Sequence, residues 1–536
     1  TTGNIVNLGT ASDAVAGTTN ISGTIYGGNQ TNDVTGNTLN VYDSVSAGNI
    51  ANFDQVNFKT TSSHITAGDT LLTLNDGNAT TLDWNKLHVD DLDSLTADPT
   101  SDRILTLMEN SSNINFGTSY SDTGTRGRIH TNDYEADMTT DGNSATTTKV
   151  YLKGYRFQNN DTSYSGTTAT DAWGGRSIIG NKVQKNKLTL TGGSATLNAR
   201  GGMVENTERD SGGNYKTNGD ATKNTLVLNT GAQTGNAYGA EVKTKAGSAT
   251  ENTAEITGGT TVHLYGASLT AAGATGSATK NKVNIKGGSV TGSVYGGHIV
   301  DGAAIGDAKK NTITVTGGSV TGDIYGGFTN GSGATTGNTV NLGDGEHSLP
   351  TGTNIAGTIY GGNKADVTDN TLNVNTNATA GNIQNFGKLQ FNLNSNALTQ
   401  SAPLLQLSAV GGTNNLDWRT LDVNAEKFNA PIKTYEAYNL VLMENTHGIS
   451  FQQGATNTYT VGGGVKSTTS GDFEFTIDTA TSSVSSTQVT AAGYKFKNHD
   501  ASYNEVTPHV EAWAGRTNIG NKVEKNKLTV TGGNIT

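Results

Sequence analysis

The chain has 536 residues, of which 71 are Gly, 5 are Pro and none is Cys, and its formal net charge is −11. An acidic balance without a Lys/Arg run leaves no footprint for a phosphate backbone, so nucleic acid is not an expected partner. The lack of Cys excludes disulfide staples and thiol catalysis, and no apolar run approaches the roughly 20 residues of a membrane helix, so this chain is not expected to insert into a bilayer.

The opening, TTGNIVNLGT, lacks the basic and apolar regions of a signal peptide and is expected to be a cut or processed end. Residues 1–48 read as Gly-rich coils that close one cassette. Residues 49–180 are poorer in Gly and richer in aromatics, with clear alternation in TLDWNKLHV, LTLMEN and GYRFQNN, and a small β subdomain is expected around 117–150. Residues 181–381 form a Gly-rich array in which the phrase Asn-x-apolar-x-apolar starts at Asn186, Asn224, Asn252, Asn281, Asn311, Asn338 and Asn370, at steps of 38, 28, 29, 30, 27 and 32 residues. A second aromatic-rich segment spans 382–520, and 521–536 begins the next array.

Within a unit the apolar residues alternate: Val283 and Ile285, then Val290 and Val294 after a Gly-Gly break. That is strand periodicity, with two or three short strands per unit and turn-rich stretches such as FTNGSGATTG as surface loops. A unit of about 30 residues with so few apolar groups cannot bury its inner face alone, but stacked units share one narrow core. The expectation is an all-β solenoid with one unit per coil, parallel strands about 4.8 Å apart, Gly at the corners and the opening Asn stacked as a ladder.

A longer period overlies this one. Tyr26 returns as Tyr360 and Trp84 as Trp418, both 334 residues on (360 − 26; 418 − 84), and Trp173 returns as Trp513, 340 on (513 − 173). The chain reads as about 1.6 cassettes of something longer.

The paired openings NIANFDQVNF and NIQNFGKLQF, the LDW strand, the AWGGRS and AWAGRT phrases leading into GNKV, and the TVTGG…YGG units resemble the passenger regions of classical type V autotransporter adhesins. The resemblance implies a right-handed parallel β-helix with short excursions, displayed extracellularly on a Gram-negative cell and anchored in the outer membrane through a part not present here. The function expected is attachment or cell–cell aggregation, as in biofilms, through host or bacterial surface glycans or proteins, without catalysis.

Other β-helices are polysaccharide-cleaving enzymes, so an acid cluster has to be sought. The nearest set is Asp90 and Asp91 with His130. The internal duplication argues against it, because Asp90 and Asp91 fall opposite Asn424 and Ala425, His88 opposite Asp422, and His447 opposite Ser112. Calcium held along the coils would need an Asp ladder, yet Asp323 falls opposite Ser293. No metal or cofactor is expected, beyond weak calcium binding at loop residues such as Asp301 or Asp344. An enzyme, or a self-associating filament module, stays as the alternative.

What both cassettes keep is aromatic and polar: Trp84 and Trp418, Tyr155 and Tyr494, Tyr164 and Tyr503, Trp173 and Trp513, Glu109 and Glu444, and Arg176 and Arg516, the last pair expected in cation–π or capping contacts beside Trp. Alternation in SVTGSVY puts Tyr295 opposite Val290 and Val294, so Tyr238, Tyr265, Tyr295, Tyr325 and Tyr360 should align along the solenoid. Candidate binding residues are Tyr265, Tyr295, Tyr325, Tyr360, Trp84 and Trp418. The competing reading, preferred here, is a structural Tyr ladder packed on the Gly-Gly corners of adjacent coils.

Overall fold

Alternating β-branched and polar residues favour short, half-buried strands, and the computed structural model of the protein is 52% strand and 3% helical. The helical part described consists of single 3₁₀ turns such as Trp84–Lys86 and Trp418–Thr420. The structure describes residues 2–12, 20–29, 34–60, 64–90, 92–120, 128–206, 218–393, 398, 402–426, 428, 433–452, 466–481, 483 and 485–535. Two compact units are present: Thr1–Tyr164 with Thr170–Thr189 and Arg200–Thr225, and Ser165–Ala169 with Leu190–Ala199 and Leu226–Thr536.

In the second unit the array forms a parallel β-solenoid. One parallel ladder runs Thr253–Ile256, Lys282–Ile285, Thr312–Val315, Thr339–Leu342, Thr371–Val374, Lys388–Asn392 and Leu421–Asn424. Another runs Gln233–Val242, Thr260–Leu269, Val294–Ile299, Ile324–Thr329, Asn354–Gly362 and Ala378–Gln384. A third, of two-residue strands, joins Ala249–Thr250, Ala278–Thr279 and Ala308–Lys309. Each 30-residue coil thus supplies strands to three sheets. Their inward residues, such as Val283, Ile285, Val294 and Ala278, are fully buried.

The first unit repeats the plan. Ile5–Leu8, Thr38–Val41, Gln55–Phe58 and Leu87–Val89 form one parallel ladder, and Asn20–Tyr26, Val45–Ala51, Thr70–Leu74 and Arg103–Asn115 form another. Each unit then breaks the parallel rule. Arg103–Asn115 pairs antiparallel with Thr146–Arg156, which pairs with Tyr134–Thr140 and through it with Arg128–His130. Tyr438–Phe451, Ser485–Lys495, Phe473–Thr479 and Lys466–Ser470 do the same in the second unit. The excursion foreseen at 117–150 is therefore part of a longer antiparallel meander; its residues 121–127 lie outside the described residues.

The opening Asn of each coil is buried and bonded to the coils on both sides. Asn281 Oδ1 accepts the backbone N–H and the side-chain amide of Asn252 at 3.0 and 3.1 Å, and Asn311 accepts the same pair from Asn281 at 3.0 and 3.1 Å. Asn338 and Asn370 continue the series. The remaining amide proton reaches a carbonyl of the short sheet, as from Asn311 to Ala278 at 3.1 Å. In the first unit Asn186 donates likewise to Asn224, and Asn4 to Asn37. The residue before each Asn turns the chain inward with a positive φ: Lys280 at 56°, Lys310 at 57°, Gly337 at 69° and Asp369 at 57°.

The glycines of the YGG phrase were expected at corners, and the structure corrects this. Gly296 and Gly297 lie inside strand Val294–Ile299. A Cβ on Gly297 would stand 2.6 Å from Asn311 Nδ2, and one on Gly327 would stand 2.7 Å from Asn338 Nδ2. Gly175 and Gly202 face Asn186 and Asn224 in the same way. These glycines provide room for the amide ladder, while corner duty falls to Gly288 and Gly318, with φ of 76° and 78°.

Replacing Asn311 by Ala removes the acceptor of the Asn281 N–H and amide and one of the two donors to Asn338 Oδ1 inside the core. Leaving these groups unpaired is expected to cost about 3 kcal/mol, read as lost hydrogen-exchange protection at the Asn281 N–H, whose acceptor is gone. The outward Asn284→Ala is expected to cost well under about 1 kcal/mol; equal effects would show that the ladder does not hold the coils together.

Candidate functional site

The five tyrosines align in register. Tyr238 pairs with Tyr265, Tyr265 with Tyr295, Tyr295 with Tyr325, and Tyr325 with Tyr360 across successive strands. Ring centroids are 4.6, 5.0, 5.3 and 4.6 Å apart, with interplanar angles of 4° to 8°. Tyr238 and Tyr265 are buried, and Tyr295, Tyr325 and Tyr360 half-buried. Each interior ring spends both faces on its neighbours, so the stripe offers edges and hydroxyls rather than stacking platforms. Tyr325 donates its hydroxyl to Asp323 at 3.1 Å.

A second aromatic row runs beside the first. His298 lies 4.4 Å from the Tyr295 ring and 5.3 Å from Phe328, and its Nδ1 is 3.2 Å from Ser268 Oγ. His263 Nδ1 accepts the Ser293 N–H at 2.9 Å. Burial of His298, reinforced by His263, lowers its pKa to about 4, and burial raises the hydroxyls of Tyr265 and Tyr295.

The two tryptophans proposed for binding are core residues. Trp84 meets Phe116 and Tyr120 edge-on, both at 5.0 Å, and Trp418 meets Phe451 at 4.7 Å. Both are buried, because each opens a 3₁₀ turn capped by Asp83 or Asp417 that folds the ring beneath the next strand. Neither presents a face to a ligand. Arg176 does lie over Tyr155 and Trp173, at 4.4 and 4.7 Å, and Arg516 over Tyr494 and Trp513, at 4.9 and 4.4 Å.

Of the candidate acid set, only Asp90 is among the described residues with its side chain. Asp90 pairs with Lys59 at 3.0 Å, while Asp91 and the side chain of His130 lie outside the described residues. Among the described residues no three His, Cys, Asp or Glu side chains gather as metal ligands would. Asp301 accepts the N–H groups of Gly273 and Ala303. Asp344 accepts those of Glu346 and His347 and the His347 ring, which together hold its pKa at about 2.

Sequence reasoning missed a pair of buried acids. Glu135 accepts from Ser177 Oγ at 2.7 Å, the Ile178 N–H at 2.6 Å and Asn181 Nδ2 at 2.8 Å. Glu474, 339 residues on (474 − 135), does the same for Thr517, Asn518 and Asn521. Each fastens the RS or RT loop that precedes GN. The recurrence of a Glu after an aromatic, in YEAD and FEFT, was the available signal.

Three cavities lie among the described residues, the two larger of them lined mostly by polar groups. One of about 630 Å³ is lined by Asn382, Gln384, Asn385, Phe386, Asp417 and Gln452, among others. Another, of 380 Å³, holds Lys388, Arg419 and Asp422, and a third, of 220 Å³, adjoins Glu135 and Tyr155. No family model, no curated protein and no solved structure matches this chain.

Tyr295→Ala strips a stacking face from Tyr265 and from Tyr325. A loss of about 3 kcal/mol is expected, seen as a lowered Tm; an unchanged Tm would mean that the ladder is ornamental to stability. For His298 the folded pKa lies below the unfolded value of about 6.5. Between pH 6.5 and 4 the unfolded chain takes up a proton that the native chain refuses, so stability falls on acidification through that window, by at most about 3 kcal/mol. His298→Phe, which copies Phe328 in the next coil, is expected to flatten that part of a Tm-against-pH curve.

Proposed function

We propose that this chain is a non-catalytic repeat region of a bacterial cell-surface adhesin, mediating attachment or cell–cell aggregation. It works outside the cell, held at the outer membrane by another part of its protein, and its partners are glycans or proteins of host or bacterial surfaces. The observation that carries this reading is the regular coil whose polar groups are spent on coil-to-coil bonding, leaving the exterior and the loops free to vary. No helix among the described residues is long and apolar enough to cross a membrane, and the reading asks for none.

The test coats beads with the purified chain and counts their adhesion to epithelial and bacterial cells, with light scattering against concentration as the measure of self-association. Adhesion above blank beads is expected, together with no release of reducing ends from polygalacturonate. Hydrolysis that disappears in Asp90→Asn would replace the adhesin with an enzyme; concentration-dependent growth without adhesion would replace it with a filament module.

A further inference from the structure

One end of the Tyr ladder is Tyr360, and a cavity lies beyond it. The residue in register with Tyr360 on the following strand is Gln384, so the aromatic series gives way to an amide. The side chain of Gln384 is exposed. It lines the 630 Å³ cavity with Asn382, Asn385, Phe386, Asp417 and Gln452, a volume within the range of about 300–1,000 Å³ usual for small-ligand sites.

The walls of this cavity are held firmly. Asn382 Oδ1 accepts the Ile383 N–H at 2.9 Å and Thr413 Oγ1 at 2.8 Å, and its amide donates to Gly412 O at 3.3 Å. Asn385, at a φ of 60°, donates to Gly362 O at 2.8 Å. Asp417 is fixed by the Arg419 N–H and guanidinium. The rim is thus a set of planar amides and one carboxylate above an apolar floor of Phe386 and Leu416.

The first cassette supplies an internal comparison. Asn49, Asn52, Phe53 and Asp83 stand where Asn382, Asn385, Phe386 and Asp417 stand, and Asn52 has the same left-handed φ of 61°. Ala51 and Gly117, however, stand where Gln384 and Gln452 do. The second cassette has added two amide side chains to an inherited scaffold.

We infer that this cavity is a binding site for a neutral saccharide. Amides present paired donors and acceptors that match vicinal hydroxyls. Among the described residues no cation lines the cavity. In the adjoining 380 Å³ hollow, Lys388 pairs with Asp422 at 3.3 Å and Arg419 with Asp417 at 2.6 Å, so no positive charge is left over for a sialyl, uronate or phosphate group. The inference deepens the attachment reading and rests on it for the claim that a surface glycan is the ligand.

The whole chain is titrated by saturation-transfer NMR and calorimetry with maltotetraose, mannotriose, N-acetylchitotriose and lacto-N-tetraose, and with sialyllactose as the anionic arm. One or more neutral probes should bind, and Gln384→Ala with Gln452→Gly, which restores the first-cassette residues, should weaken binding roughly tenfold or more at unchanged Tm. Absence of binding by every neutral probe, equal binding by the double variant, or binding of sialyllactose alone would each overturn the site. Bead adhesion separates the two ideas. Beads that adhere while no probe binds sink the cavity and leave the attachment reading; beads that do not adhere sink that reading whatever the probes do.

Discussion

The fold depends on one buried amide per coil. A core of alternating Val, Ile and Ala only two strands deep cannot by itself choose among registers, since every coil offers nearly the same apolar face. The Asn ladder chooses. Its bonds are satisfied only when each amide meets the amide of the next coil, and a slipped coil would strand several donors and acceptors in a low-dielectric interior. Three features that look separate in sequence are parts of this device: a residue of positive φ to turn inward, the Asn, and a mid-strand Gly to make room for it. Because register is reset at every coil, the loops between can vary, and the steps between successive Asn run from 27 to 38 residues.

Much of this was legible in the sequence. Period-two alternation, the recurring Asn and the equal spacing of Tyr265, Tyr295 and Tyr325 led to parallel coils, an amide ladder and an aligned Tyr stripe, and all three are present. What was not legible turned on close approach in space. Gly invites a corner assignment because of its freedom in φ, yet Gly297 and Gly327 are there for lack of a Cβ, which only the neighbouring coil reveals. The antiparallel meanders after Arg103 and Tyr438 share their periodicity with parallel strands, so alternation alone could not separate the two. Trp84 and Trp418 show the same limit, because LDW gives no sign of the turn that buries the ring.

The duplication separates scaffold from cargo. Positions that recur are mostly those that hold the chain: the Trp wedges, the Arg–aromatic stacks, and the Glu135 and Glu474 clasps on their loops. A clasp of this kind satisfies several loop donors with one carboxylate, and the strength of charged hydrogen bonds offsets the cost of burying it. Recurrence therefore argues for architecture, and the positions where one copy departs from the other are the ones to search for binding chemistry.

That argument bears on the tyrosines themselves. A sugar platform needs an aromatic face open to solvent, and a ladder at spacings near 5 Å uses each interior face to stack the next ring. Repetition of the phrase thus builds stability and closes the faces at the same time. After Tyr360 the repetition fails, and Gln384 takes the place of another ring. In a solenoid of near-identical coils an interruption of this sort is also the cheapest place to acquire a ligand, because the coils on both sides already fix its walls.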